Sequence, residues 1–238
     1  MEDRQAGETW VIVAAAGESR RMGLPDGESK QFLLLGGGTV LSHSVRRLLS
    51  LGCVDGVVVV LHPSHIVRFA DELDRLGDAK PVLVAEGGCT RPDSVRAGLL
   101  EVPVTAAVIA VHDGARPLFS RQVFEACLAA LDDAHGAVPA VEVSDTLKRE
   151  GPGGEVAGTA DRAGLWAAQT PQVFRAAALR DAYARADLDG ATDDAMLLER
   201  SGYTVRLVPS TPANLKITTP QDLPLAGALL AWEVETDV

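Results

Sequence analysis

A chain of 238 residues with 47% apolar and 23% charged residues has the composition of a folded globular protein, long enough for one full α/β core or two small domains. Its formal net charge of −11 argues against a general nucleic-acid or anionic-membrane binder, so a polyanionic ligand has to be drawn by a local cluster of cations. Cys53, Cys89 and Cys127 form no C-x-x-C pair or disulfide framework, and neither a signal peptide nor a membrane-spanning run is present, so a cytoplasmic protein is expected.

The apolar run 10–16 reads as a buried strand, ended at once by Gly17. The loop that follows has small residues at its mouth (Ala15, Ala16, Gly17, Ser19), then Arg20, Arg21 and Lys30. Small residues admit a ligand close to backbone amides, and amides beside cationic side chains make an anion site. The pattern is neither a P-loop, which needs G-K-[ST] opening a helix, nor the G-x-G-x-x-G dinucleotide turn. Its length and spaced cations suit a triphosphate, the alternative being a surface loop with its arginines in solvent.

Residues 32–35 form a short strand candidate before the glycines at 36–38, and Thr39 caps a helix whose Leu41, Val45, Leu48 and Leu49 share one face. The continuous run 57–61 is typical of a parallel strand covered on both sides. A helix over 63–76, a strand over 81–85, a helix over 93–100, a strand over 106–111 and a helix capped by Ser120 follow. Strand and helix alternating at this spacing imply right-handed crossovers and a doubly wound, mostly parallel α/β sheet. Ligands of such sheets sit at the carboxyl ends of the strands, and each polar motif in this chain follows such an end.

Residues 137–143 continue the sheet, and then 144–164 break the pattern. Two short polar strand-like runs flank a Gly-Pro-Gly-Gly turn, which reads as a protruding hairpin arm, about 141–165, with little apolar surface. A lone hairpin is marginal in water, so the arm either rests on a partner subunit or is a free loop. Helices near 175–186 and 193–201, strands at 203–208 and 214–217, and a helix from about 220 complete one domain spanning 1–238. The chain ends soon after that helix, so no fused second enzyme is expected.

Three further segments can carry chemistry. Asp113, just past a strand, suits Mg²⁺, which takes one or two protein carboxylates plus phosphates; the alternative is an ordinary turn or capping aspartate. His112 has no assigned role, and Arg116 faces either a phosphate or solvent. Gly88, Arg91 and Ser94 surround a strand-to-helix turn that either reads a nucleobase edge or simply starts a capped helix. Lys216, in an apolar stretch, either snorkels outward or points into the site.

Taken in order, A-A-G-x-x-x-R-M, K-Q-F, R-P-D-S-V, H-D-G-A-R-P, D-R-A-G-L-W-x-x-x-T-P-Q and N-L-K-I-T closely resemble the 2-C-methyl-D-erythritol 4-phosphate cytidylyltransferase family of the non-mevalonate isoprenoid pathway, over roughly residues 10–232. The resemblance implies a nucleotidyltransferase-like, Rossmann-type fold, a homodimer that exchanges its arm, CTP and a polyol phosphate as substrates, and Mg²⁺. It implies that Ala15, Ala16, Gly17, Arg20 and Lys30 hold the triphosphate. Gly88, Arg91 and Ser94 would then surround the cytosine, with Asp113 on the metal and Lys216 on the α-phosphate. The acceptor would be held by Arg116, Thr146, Arg162, Thr170 and Thr192, with Thr146 and Arg162 serving the neighbouring subunit. Arg20, Lys30 and Lys216 are the expected catalytic cations. Ser19 stands where the family often has a second glycine, and a serine resists positive φ, which puts the path of the loop in question. Pro212 and Ala213 stand where the family often has an acid, so a metal-assisting role of that acid is either missing here or falls to another carboxylate such as Asp193 or Asp194. The competing readings are a cytidylyltransferase for another polyol phosphate, such as ribitol 5-phosphate, and a non-catalytic nucleotide-binding module.

Overall fold

The computed structural model describes residues 7–236 apart from Glu18, Asp26, Asp74 and residues 77–79. In chain order the strands are β1 (Glu8–Ala15), β2 (Leu34–Leu35), β3 (Gly38–Thr39), β4 (Gly56–Leu61), β5 (Val82–Glu86), β6 (Ala106–Asp113), β7 (Gly136–Glu142), β8 (Lys148–Glu150), β9 (Val156–Thr159), β10 (Trp166–Ala168), β11 (Gln172–Arg175) and β12 (Val205–Pro209). The α-helices are α1 (Val40–Ser50), α2 (Ile66–Leu73), α3 (Arg91–Glu101), α4 (Arg121–Ala129), α5 (Ala176–Arg185), α6 (Asp194–Arg200) and α7 (Asp222–Thr236). No helix among the described residues is long and apolar enough to cross a membrane.

Eight strands form one sheet in the order β10-β7-β11-β6-β1-β4-β5, with β12 on β7. The β1, β4, β5 and β6 ladders are parallel, as is β12 with β7, while β10 and β11 run antiparallel to their neighbours. Alternation along the strands divides the core between two faces. Val11, Val13, Val57 and Val59 pack under α1, α2 and α4, whereas Ile12, Val58, Val60 and Ile109 pack under α3, α5 and α6. This is the doubly wound arrangement expected from the chain's alternation.

The helix starts follow their capping residues. Thr39 and Ser42 exchange a reciprocal capping box at α1, Thr90 and Asp93 do so at α3, and Ser120 accepts from the Val123 N–H at α4. A third, smaller cluster binds the loops above the sheet: Met22, Leu35, Val40, Leu118, Ile217 and Ala226 of α7 pack together.

Several elements differ from expectation. Residues 32–35 are not one strand: Lys30–Phe32 is a 3₁₀ turn, and only Leu34–Leu35 pairs, with Gly38–Thr39, because the glycines at 36–38 fold the run back on itself. Pro63–His65 is likewise 3₁₀, so the helix expected from 63 begins at Ile66. Residues 214–217 do not form a strand. Asn214 turns to Gln169 and the Thr170 carbonyl, Lys216 to Asp113, and Leu215 and Ile217 to an apolar cluster, and the Ile217 N–H bonds singly to the Ala115 carbonyl at 2.9 Å instead of joining a ladder. Strands β10 and β11, over residues with no expected element, insert antiparallel pairs beside β7. The β8–β9 hairpin pairs only within itself, with Val156 64% exposed.

Helix α3 lies close on the sheet at Gly98, where a Cβ would fall 2.7 Å from Ile12 Cγ2 and 2.9 Å from Val60 Cγ2. Gly98→Ala would gain about 1 kcal/mol in helix propensity, but overpacking of this kind costs about 1–3 kcal/mol. The expected result is a lower urea midpoint; an unchanged or higher midpoint would show that the contact yields freely.

Candidate functional site

Strands β6, β1, β4 and β5 end on one edge of the sheet, and each hands over to a small or polar residue. Asp113 closes β6, Ala16 and Gly17 follow β1, His62 follows β4, and Gly87 and Gly88 follow β5. With Arg21, Lys30, Arg91, Ser94, Lys216 and Thr218 they line a cleft of about 810 Å³. Gly87 is needed for close approach: a Cβ there would lie 2.3 Å from the Ala16 Cβ.

The centre of the cleft is a buried carboxylate. Asp113 is 7% exposed, and isolation at that depth would be costly. Three cations meet it: Lys216 Nζ at 2.8 Å and Arg116 Nε at 3.3 Å, both on Oδ2, and Arg91 Nε at 3.7 Å from Oδ1. Burial alone would raise its pKa, but Lys216, Arg91 and Arg116 outweigh burial and hold it well below the usual carboxylate range. Its backbone is fixed as well. The Asp113 N–H donates to Thr170 Oγ1 at 2.9 Å, Thr170 Oγ1 lies 3.1 Å from His112 Nδ1, and His112 Nε2 lies 3.0 Å from the Arg116 carbonyl. A carbonyl can only accept, so Nε2 carries the proton and Nδ1 accepts from the threonine. Burial pushes His112 down to about 3, against the pull of Asp113, so the ring is neutral.

Arg91 is shared between two carboxylates. Its Nη2 donates to Asp194 Oδ2 at 2.7 Å, and the Tyr183 hydroxyl donates to Asp194 Oδ1 at 2.6 Å. Burial would lower the Arg91 pKa, but Asp194 and Asp113 raise it beyond its ordinary value, so the guanidinium stays charged. Asp193 caps α6 through the Met196 N–H and accepts from Gln172 Nε2 at 2.8 Å. Both acids considered as helpers for a metal are therefore engaged elsewhere.

Lys30, on the 3₁₀ turn, lines the same cleft as Asp113. Burial and the neighbouring charge of Lys216 lower its pKa to about 8, with Asp113 opposing and Arg21 adding to the fall. It is a cation held near its titration point in a cleft crowded with positive charge.

The structure thus brings Ala16, Gly17, Lys30, Gly88, Arg91, Ser94, Asp113 and Lys216 to one cleft. Ala15 is buried beneath it. Arg20 opens a 3₁₀ turn, and its side chain lies outside the described part of the structure. The arginine in A-A-G-x-x-x-R-M is Arg21, and Arg21 lines the cleft; the motif itself carried that signal. Ser94 Oγ accepts from the Gly88 N–H at 3.2 Å and lies 3.0 Å from the Thr90 carbonyl, so this turn is preformed. Arg116 is drawn inward to Asp113 and to the Asn214 carbonyl at 2.8 Å. Thr170 is 4% exposed and serves Asp113 and His112. Thr146, Arg162 and Thr192 are exposed and do not line the cleft, and the Arg162 guanidinium bonds the carbonyls of Val143 and Ser144 at the root of its own arm. His62, for which the sequence raises no expectation, and Thr218, which closes N-L-K-I-T with no role assigned, line the cleft as well; His62 follows an apolar run just as the strand-end residues of β1 and β6 do.

The family model described as 2-C-methyl-D-erythritol 4-phosphate cytidylyltransferase matches residues 9–232. A curated relative of that name from Symbiobacterium thermophilum is 44% identical over 226 residues, covering 94% of this chain and 93% of its own length. Among solved structures, the 4-diphosphocytidyl-2C-methyl-D-erythritol synthase of Anaerococcus prevotii superposes with a TM-score of 0.81 at 26% identity, covering 94% of this chain and 99% of its own. The 2-C-methyl-D-erythritol 4-phosphate cytidylyltransferase of Thermus thermophilus does so with a TM-score of 0.73 at 35% identity, covering 93% and 98%.

Because Lys30 loses its charge as pH rises through about 8, binding of a polyanion should be strongest below that value and weaken above it. Calorimetry with metal-free inorganic tripolyphosphate is expected to show affinity falling between pH 8 and 9.5, by up to about tenfold per unit. Lys30→Met should remove most of that slope; the same slope in the variant would assign it to another group.

Proposed function

The chain belongs to the 2-C-methyl-D-erythritol 4-phosphate cytidylyltransferase family, and from that premise we infer that it transfers CMP from CTP to 2-C-methyl-D-erythritol 4-phosphate. The products are 4-diphosphocytidyl-2-C-methyl-D-erythritol and pyrophosphate, in isoprenoid precursor synthesis. The observation that carries the reading is Lys216 held 2.8 Å from Asp113 on the same cleft as Lys30 and the amides at the end of β1.

The nucleophile is the acceptor's own phosphate oxygen. A phosphomonoester has its second pKa at about 6, so this oxygen is already ionised at neutral pH and no general base is needed. That agrees with His112 being neutral, buried and fully engaged. The oxygen bonds to the α-phosphorus while the bond from that phosphorus to the bridging oxygen breaks, and the electron pair leaves with pyrophosphate. Charge grows on the α-phosphoryl oxygens and on the leaving group. Lys216 and Lys30 stabilise the first, and Arg20 and Arg21 hold the outer phosphates, so catalysis is positioning and preset charge.

The donor set fits Mg²⁺ in one mode. Among the described residues no three His, Cys, Asp or Glu side chains gather to hold an ion by themselves, whereas a single hard carboxylate beside phosphates is a usual magnesium arrangement. Asp113 would hold the ion jointly with the nucleotide, and a metal so bound supplies charge neutralisation to the leaving pyrophosphate.

On the acceptor side, the family resemblance assigns Arg116 and Thr192 from this chain, neither of which is among the residues lining the cleft, with Thr170 acting through the Asp113 backbone. Thr146 and Arg162 enter from the partner of a homodimer that exchanges its arm, residues 141–165. The support is that the two flank a polar, self-paired hairpin and line no part of their own cleft. Cys53, Cys89 and Cys127 are unpaired thiols, in keeping with a reducing cytoplasm.

Pyrophosphate release with CTP is expected with methylerythritol phosphate and not with ribitol 5-phosphate; the reverse preference would move the protein to another acceptor class, and CTP binding without turnover would make it a binding module. Lys216→Ala should stay folded, at a lower melting temperature because Asp113 loses its nearest cation, while kcat falls about 10²–10³-fold, and wild-type turnover in that variant would remove Lys216 from the mechanism. Sedimentation should give a dimer for the wild type and a monomer once residues 144–164 are replaced by a short linker.

A further inference from the structure

Ser19 is the one non-glycine residue with positive φ among the described residues, at +53°. For an L-residue this region carries a cost of about 1–2 kcal/mol, which persists only where surrounding contacts enforce it. The contacts are visible. The Ser19 carbonyl accepts from the Met22 N–H at 2.9 Å, closing the Arg20–Met22 turn that presents Arg21 to the cleft. The Ser19 hydroxyl accepts from the Lys30 N–H at 3.0 Å and lies 3.5 Å from both Ser29 Oγ and Gln31 Oε1. Ser29 and Gln31 are 2% and 3% exposed, so the hydroxyl reaches into a buried polar knot at the base of the Lys30 turn. One residue, in a conformation suited to glycine, joins the two cation-bearing turns.

We propose that Ser19 is a positioning residue for nucleotide binding, its hydroxyl clasping the Lys30 turn to the Arg21 turn so that both cations are set before the triphosphate arrives. Glycine at this position would supply the backbone conformation and the carbonyl but leave the Lys30 N–H without its partner. Alanine would lack the hydroxyl and keep the strain. The clasp acts through Lys30, because the bond it makes is to the backbone of that residue. The polyphosphate chemistry rests on the cytidylyltransferase reading; the location of the clasp does not.

The test is a double-mutant cycle on CTP affinity, measured by calorimetry in Mg²⁺ buffer with the full-length protein. Ser19→Gly is expected to weaken CTP about 3–10-fold, in line with loss of one positioning hydrogen bond, with its melting temperature within a few degrees of wild type. Ser19→Ala should weaken it further. In a Lys30→Met background, Ser19→Gly should cost less than twofold, because the cation that the clasp positions is gone. Steady-state KM for methylerythritol phosphate should be unchanged in Ser19→Gly. A full 3–10-fold loss in the Lys30→Met background, or wild-type CTP affinity in Ser19→Gly, would overturn the proposal. If wild type binds CTP but never releases pyrophosphate, the catalytic reading fails while the cycle still decides the clasp.

Discussion

The contact on which the cleft depends is the buried Asp113 carboxylate and the cations around it. Three separate segments converge there: the end of β6 and the turn directly after it supply the acid and Arg116, the first turn of α3 supplies Arg91, and the irregular stretch at 214–217 supplies Lys216. A carboxylate 7% exposed cannot remain ionised without such partners. Removing one partner would leave the others bearing its share, so the constraint acts on all three segments at once. The same arrangement stores positive charge where a polyphosphate would lie, since three cations surround one acid and Lys30 adds a fourth nearby.

A surrounding frame holds these charges still. The Asp113 N–H, Thr170, His112 and the Arg116 carbonyl form a continuous chain of hydrogen bonds, and Asn214 ties its side chain to the Thr170 carbonyl and to Gln169. Asp194 and Tyr183 secure the far side of Arg91. Above the sheet, the cluster of Met22, Leu35, Leu118 and Ile217 links the Arg21 turn, the β2–β3 hairpin that follows the Lys30 turn, the chain after Asp113 and the Lys216 segment through apolar burial. Polar groups set direction here, and the apolar cluster sets distance. Both are needed because cations in mutual repulsion do not assemble by themselves.

Legibility in the chain followed the range of the forces involved. The Val-rich strands and the caps at Thr39 and Ser120 were readable because periodicity and capping act within a few residues. Asp113, Lys30 and Lys216 were readable as candidates because each follows a strand end or stands out in an apolar context. Residues 214–217 misled, since an apolar-polar alternation looks the same whether a ladder is available or not. Strands β10 and β11 were invisible for the complementary reason: their pairing is set by the open edges of β6 and β7, which no local pattern records. Ser19 was read as a residue resisting positive φ, yet it adopts +53° because Lys30 N–H and the Met22 turn hold it there.

By itself the sequence determined the alternation of strand and helix, the two-faced core, and the cationic, small-residue character of the loop after β1, all consequences of local periodicity and composition. Only the tertiary structure decided that Lys216 meets Asp113 across a hundred residues of chain, that Arg91 divides itself between Asp113 and Asp194, and that a serine takes a conformation suited to glycine. Those outcomes depend on which groups share a buried volume, where desolvation forces charges and donors to find partners, and that sharing exists only once the chain has folded.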